Sequence, residues 1–279
     1  MSILRALVLG ILQGATEFLP VSSSGHLVLV PWLLGWESPG LAFDAVVHWG
    51  TALAVVVYYW RDWVAMVRSV LKSMRIESIR RGRVLLDDQS RLAWLIILGA
   101  IPAAVLGYFL DDFFERLFDQ PGAAAGFLLV TALLLVTSER LARSTRGVAE
   151  MNWTDALVVG IAQALAIFPG VSRSGATIAA GLTRGLRREL AARYSFLLGT
   201  PVILGAGLFK VMDLAQAGSL AADWPSLLVG FVVSGVVGFG CIHLLLRYVR
   251  ERRLYPFAAY CAGFGVFGLV VVFLRGGAA

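Results

Sequence analysis

The side chains best suited to chemistry lie in two matched runs, GILQGATEFLPVSSSGH at 10–26 and GIAQALAIFPGVSRSGA at 160–176. At an offset of 150, eight of the first sixteen positions are identical: Gly10/Gly160, Ile11/Ile161, Gln13/Gln163, Phe18/Phe168, Val21/Val171, Ser22/Ser172, Ser24/Ser174 and Gly25/Gly175. The first run holds Glu17, Ser23 and His26 where the second holds Ile167, Arg173 and Ala176. Acid and base groups sit in one run and a fixed cation in the other, the pattern of a composite site between two repeats.

A turn such as SSSG leading into an apolar helix exposes backbone N–H groups, with hydroxyls beside them and a glycine that permits close approach. That is an anion cradle of the kind that takes phosphate. Ser22, Ser23, Ser24 and Gly25 form one; Ser172, Arg173, Ser174 and Gly175 form the other, where the planar Arg173 fork suits a phosphate bidentately. Two facing cradles suit a diphosphate. Glu17 lies in an apolar segment, where a charge costs about 3 kcal/mol at mid-helix and marks function by default. Gln13 is one turn earlier on the same face, so the pair could share a divalent cation or hold a hydroxyl. His26 could shuttle a proton. Taken singly, each serine also reads as a turn cap, and Glu17 with Arg173 as a structural ion pair. Their coincidence in matched runs is what points to chemistry. His48, with Asp44 one turn before it, is expected at a helix surface or a substrate rim, and His243 as structural.

The elements that position these groups must be membrane helices. Hydrophobic residues make up 58% of the 279, charged residues 15%, and mean hydropathy is +0.79; soluble domains carry about 25% charged residues. Stretches 42–60, 91–110, 121–138, 194–212, 225–246 and 255–274 are each apolar enough to cross a bilayer. The N-terminal MSILRALVLGILQGA resembles a signal peptide, but cleavage would destroy the first run, so retention is expected. Cys241 and Cys261 lie in apolar segments without metal-type spacing and are expected to be inert thiols.

A net charge of +6 does not imply nucleic acid as a partner, because the cations are rationed among loops. Nineteen of the 24 Lys and Arg fall in 61–91, 140–146, 184–193 and 247–253, which the positive-inside rule makes cytoplasmic. The acidic connections 111–119 and 213–223 then lie outside. With the intervening spans, segment 152–184 begins and ends at cytoplasmic loops, so it must enter and return; its mate 3–36 does so from outside. The expected fold is all-α and polytopic, with six spanning helices, two re-entrant helical hairpins and an inverted-topology repeat. Repeat 1 is 1–150 and repeat 2 is 151–279. Gly50-Thr51 and Gly199-Thr200 echo one another in equivalent helices. The two polar turns should meet near the midplane, since irregular backbone at that depth must be buried or line a cavity. A cysteine at position 115 should label from outside and one at 78 from inside.

GATEFLPVSSSGHL at 14–27, PGVSRSGAT at 169–177 and FDAVVHWGTALAVVVYYWRDW at 43–63 resemble the bacterial undecaprenyl-diphosphate phosphatase family, the membrane enzymes associated with bacitracin resistance, over essentially the whole chain. The resemblance implies hydrolysis of undecaprenyl diphosphate to undecaprenyl phosphate and inorganic phosphate, recycling the lipid carrier of cell-wall synthesis, with a divalent cation, Mg²⁺ or Ca²⁺. It places the two acidic-type, cation-binding positions on Gln13 and Glu17, the nucleophilic or substrate-binding serines on Ser22 and Ser23, and the His on His26. The second motif's serine and phosphate-binding arginine fall on Ser172 and Arg173, with Thr177 close by. Joined to the cradle reading, the expected catalytic set is Glu17, Ser23, His26 and Arg173, and the expected substrate contacts are Ser22, Ser24, Gly25, Ser172, Ser174, Gly175 and Thr177. Gln13 stands where the best-known pattern has Glu, so Glu17 carries more of the load; His48 stands where the family often has Gln.

The expected reaction is in-line displacement at the terminal phosphate. Ser23 attacks or orients a water, Glu17 accepts the proton, and Arg173 with the N–H groups of both cradles stabilises the equatorial oxygens. His26 protonates the leaving group or positions Ser23. The expected setting is the bacterial plasma membrane with the site open to the outer leaflet, and the expected partners are the polyprenyl diphosphate lipid, membrane lipids and a second copy in a homodimer. A flippase of the polyprenyl phosphate carrier is the rival reading, since alternating access uses the same architecture. Lipid phosphatases with PSGH and SR-x5-H signatures fit less well, because Ala179 stands six residues beyond Arg173.

Overall fold

A computed structural model describes residues 1–74, 87–216 and 224–276. Among them the chain is helical, and the β pairing is an isolated bridge between Arg146 and Leu186. The helices are α1 (Ile3–Phe18), α2 (Ser23–Leu33), α3 (Gly40–Tyr58), α4 (Trp60–Ser73), α5 (Asp88–Phe109), α6 (Asp111–Phe118), α7 (Pro121–Leu141), α8 (Trp153–Leu165), α9 (Arg173–Thr183), α10 (Arg188–Gln216), α11 (Trp224–Glu251) and α12 (Tyr255–Leu274).

Helices α3, α5, α7, α10, α11 and α12 are long and apolar enough to cross a membrane, and they coincide with the six expected stretches. Their outward faces carry large apolar side chains such as Phe109, Leu133, Val236, Leu244 and Phe273, all exposed. In water a surface of this kind drives association; against lipid tails it needs no cover. The protein is a multi-pass membrane protein. Helices α1 with α2 and α8 with α9 are shorter and pack against one another. At 1.5 Å rise per residue, α2 and α9, with 11 residues each, reach about 17 Å, well short of a hydrocarbon core of about 30 Å.

The hairpins are inserted into the spanning helices by glycine. Helix α1 crosses α11 where Gly10 faces Gly230 and where a Cβ on Gly14 would stand 2.7 Å from the Ser234 carbonyl. Helix α8 crosses α5 in the same manner, with Gly160 against the Gly99 carbonyl. The same repeated glycine therefore packs each hairpin onto a spanning helix from the other half of the chain. Phe18, at the end of α1, meets Phe196 of α10 edge-on, with centroids 5.1 Å apart.

Two helices depart from the sequence expectation. Residues 61–91 and 111–119 read as charged loops, yet α4 and α6 occupy parts of both. Helix α4 is amphipathic: Met66, Ser69 and Ser73 are buried, while Trp60, Val64, Val67 and Leu71 face outward. Its Asp62 pairs with Arg193 of α10 at 2.7 Å. Charge marked the correct stretch, but charges confined to one stripe are compatible with a helix. Ser69 donates to the Asp87 carboxylate (2.6 Å), which also caps α5 through the Ser90 N–H (2.7 Å). The hydroxyl and the N–H hold the Asp87 carboxyl below the usual carboxylate range. Position 78 and residues 217–223 of the acidic connection 213–223 lie outside the described residues.

Candidate active site

The two repeated turns meet. Ser24 Oγ accepts from the Gly170 N–H (3.4 Å), and Ser174 Oγ donates to the Leu19 carbonyl (3.2 Å). Gly170 has φ +98°, and a Cβ there would overlap the Ala124 carbonyl, so only glycine fits this turn. Thr131 of α7 anchors the second turn: its hydroxyl donates to the Gly170 carbonyl and accepts from the Ser172 N–H, both at 2.9 Å. Sequence reasoning missed Thr131, which lies in an unremarkable apolar span.

Each turn caps the helix that follows it. Ser22 Oγ accepts from Gly25 N–H (3.2 Å) and Ser172 Oγ from Gly175 N–H (3.0 Å), while the Ser22/Ser24 and Ser172/Ser174 hydroxyls pair at 3.2 Å. The hydroxyls of Ser22, Ser172 and Ser174 thus bind the turns themselves. The first two N–H groups of each helix, those of Ser23 and Ser24 and of Arg173 and Ser174, have no intrahelical acceptor and keep the anion-binding character of a helix start. Ser22 has φ +71°, a region costly to a residue with a Cβ, whereas Ser172 has φ −71°. Strain of about 1–3 kcal/mol is therefore held in the turn that presents Ser23.

Glu17, Ser23 and Arg173 come together where the halves meet. Ser23 Oγ donates to Glu17 Oε2 at 2.7 Å, Gln13 Nε2 donates to the same oxygen at 2.9 Å, and Arg173 Nη2 bonds Glu17 Oε1 at 2.9 Å. The pairing of Glu17 with Arg173, 156 residues apart in sequence, joins the two runs. Arg173 Nη1 also donates to the Ser195 carbonyl at 3.2 Å, and Thr177 braces this wall through the Arg173 carbonyl (2.7 Å) and Ser195 Oγ (2.6 Å). A Cβ at position 199 would overlap the Arg173 guanidinium, so Gly199 of the faint Gly-Thr echo makes room for the cation.

A cavity of about 320 Å³ opens onto Glu17, Ser23, Ser24 and Arg173. Apolar side chains from several helices line it, among them Leu41, Ala103, Phe114, Phe118, Val202 and Ile203, with Asp44, His48, Gln163 and Lys210 as further polar members. His48, expected at a helix surface or a substrate rim, lines the cavity: its Nδ1 donates to the Asp44 carbonyl (2.7 Å), and its Nε2 stands 3.6 Å from Glu17 Oε2. The signal was its place one turn after Asp44 on an apolar span. His26 is not among the residues lining this cavity. Its Nδ1 donates to the Ser22 carbonyl, its Nε2 accepts from Tyr260 OH, both at 2.7 Å, and its ring stacks on Tyr260 and Phe264.

No group of three or more His, Cys, Asp or Glu suited to a metal occurs among the described residues. Gln13 Oε1, however, is buried without a hydrogen-bond partner beside the Glu17 carboxylate. Both are oxygen donors of the type a hard divalent cation takes, although Gln13 is itself fully buried and does not line the cavity.

The arrangement defines a class: a multi-pass α-helical membrane protein whose two hairpin turns build a buried carboxylate–serine–guanidinium centre open to an apolar cavity. The chain belongs to the bacitracin resistance protein BacA family, whose model matches residues 6–267. It is similar to the undecaprenyl-diphosphatase of Trichlorobacter lovleyi, 44% identical over 98% of each chain. It is also similar to the undecaprenyl-diphosphatase of Methanosphaera stadtmanae, 43% identical over 97% of this chain and 98% of that one. The corresponding protein of Pelotomaculum thermopropionicum is 41% identical over 98% and 97%. The resemblance read from the two motifs is borne out.

Proposed function

We propose that this protein hydrolyses undecaprenyl diphosphate to undecaprenyl phosphate and inorganic phosphate. The observation that carries the reading is the Ser23–Glu17–Arg173 arrangement: a hydroxyl already donating to a carboxylate, beside a guanidinium, in a cavity with apolar walls. The names of the relatives support the same chemistry and give no support to the flippase.

The terminal phosphate enters the cavity with its equatorial oxygens toward Arg173 and the free N–H groups at the start of α2. Ser23 Oγ attacks phosphorus in line as Glu17 Oε2 takes its proton, and the bridging oxygen leaves on the lipid phosphate. Glu17 passes that proton to the departing lipid phosphate and is free again. Water then attacks the phosphorus held on Ser23, giving a proton to Glu17 as the bond to Ser23 Oγ breaks, and Glu17 returns the proton to Ser23 Oγ as inorganic phosphate leaves. Arg173 and the N–H groups stabilise charge that builds on the oxygens, an effect of about 10²–10³ in rate for one such donor. His26 holds the Ser22 carbonyl and thereby the turn that aims Ser23. Gln13 Oε1 and Glu17 would hold a Mg²⁺ or Ca²⁺ ion, which when bound supplies charge neutralisation for the diphosphate.

The prenyl tail leaves the cavity past Leu41, Phe114, Phe118 and Ile203 into the bilayer. The setting proposed is the bacterial plasma membrane, with the hairpins re-entrant, the halves inverted repeats of 1–150 and 151–279, and the site open to the outer leaflet. Arg61, Arg68 and Lys72 of α4 would then face the anionic headgroups of the cytoplasmic leaflet. The expected homodimer belongs to the same proposal and is checked by cross-linking in native membranes.

The test is phosphate release by the purified protein from a long-chain polyprenyl diphosphate, with Mg²⁺, with Ca²⁺ and with chelator, beside Arg173→Ala. Release that depends on the ion and is lost in the variant is expected; intact substrate moved across a vesicle membrane without release would sink the reading.

A further inference from the structure

Gln163 is the repeat mate of Gln13, and the two amides fare differently. Gln13 donates to Glu17, four residues on in α1. The residue four beyond Gln163 is Ile167, which offers nothing to bond. Gln163 is 2% exposed, and neither its Nε2 nor its Oε1 has a hydrogen-bond partner among the described residues. It lines the same cavity as Glu17, Ser23 and Arg173.

A buried amide with both ends unsatisfied is destabilising, and an apolar residue of similar shape would remove the penalty. Its setting says what would satisfy it. The cavity is already lined by Arg173, a cation of the same run, and by Ser23 and Ser24, which open α2 in the other run, a setting that favours an anion. An amide adds two further donors through nitrogen, and an acceptor for a protonated phosphate oxygen or a bound water. It can do so without adding charge beside Arg173.

We infer that Gln163 is a substrate-binding residue, whose side-chain amide hydrogen-bonds the non-bridging oxygens of a diphosphate held between Ser23 and Arg173. The inference rests on the phosphatase reading for the identity of the natural ligand. The pseudo-twofold pairing then has a division of labour: the Gln of the first half serves the carboxylate, and the Gln of the second serves the substrate.

The experiment compares wild type, Gln163→Met and Gln163→Glu. It measures thermal unfolding in detergent with and without inorganic diphosphate, and kcat and KM on a long-chain polyprenyl diphosphate. The expected result for Gln163→Met is an unfolding temperature equal to or above wild type without ligand. Its stabilisation by inorganic diphosphate should be lost, and kcat/KM should fall about tenfold, the scale of one neutral hydrogen bond. Gln163→Glu, of the same size but charged, should likewise lose the stabilisation by inorganic diphosphate. Wild-type kcat/KM in Gln163→Met with an unchanged response to inorganic diphosphate would overturn the assignment. So would a lower unfolding temperature in both variants with that response intact, which would make the amide a packing residue. If wild type releases no phosphate, the phosphatase reading falls; a diphosphate response present in wild type and absent in Gln163→Met would still uphold the Gln163 assignment. No diphosphate response in wild type together with no release would overturn both.

Discussion

Glu17 accepts from Ser23 and Gln13 through one oxygen and from Arg173 through the other, so it is held by partners from both halves of the chain. A carboxylate fixed this way is oriented toward the serine proton and paired with the guanidinium. Glu17→Gln keeps the shape and most hydrogen bonds but removes the base, and phosphate release should drop about 10²–10⁴-fold. Near wild-type turnover would strip Glu17 of its role. Arg173→Lys keeps the charge but not the fork that spans Glu17 and the Ser195 carbonyl. A loss of about 10²–10³ in kcat is expected, and a mild effect would reduce Arg173 to a structural partner. The identities of these residues were legible in sequence because a carboxylate and an arginine inside apolar segments are costly. The place of His48 was not, since nothing local says which face of α3 meets α1.

Helix packing decides whether those side chains can meet. Arg173 lies at the first turn of α9, and its guanidinium passes over α10 only because residue 199 has no side chain. Gly199→Ala should leave the helices formed, since alanine favours helix over glycine by about 1 kcal/mol. It should nevertheless displace Arg173 and lower kcat by about tenfold or more. Assayed turnover equal to wild type with unchanged circular dichroism would show that the guanidinium has another resting place. Glycines 10, 14 and 160 act at the same scale, setting how deeply each hairpin sinks between spanning helices. The six spans were legible because apolar length is a local property. Helices α4 and α6 were not, because a short helix with a charged stripe and a charged loop share one composition.

Across the whole molecule, each hairpin packs on a span from the other half, so neither half would own a complete site. The proposed orientation has α4 at the cytoplasmic face and the α6–α7 connection outside. A cysteine at Lys72 should therefore label only after the membrane is made permeable from within, and one at Asp119 should label in intact cells. The reverse pattern would invert the molecule and move the opening of the cavity to the other leaflet.

The sequence by itself determined the membrane class, the six spans, the pairing of two degenerate runs and the family, because hydropathy, charge placement and motif identity are written along the chain. It also named Glu17, Ser23 and Arg173. Only the tertiary structure decided that Ser22, Ser172 and Ser174 spend their hydroxyls on the turns, that His26 faces Tyr260, that His48 reaches Glu17, and that Gln163 stands unsatisfied in the cavity. These outcomes depend on the rotation and depth of one helix against another. That geometry is set by close contacts between residues distant along the chain, Gly10 with Gly230 and Gly160 with Gly99 among them, which no local pattern encodes.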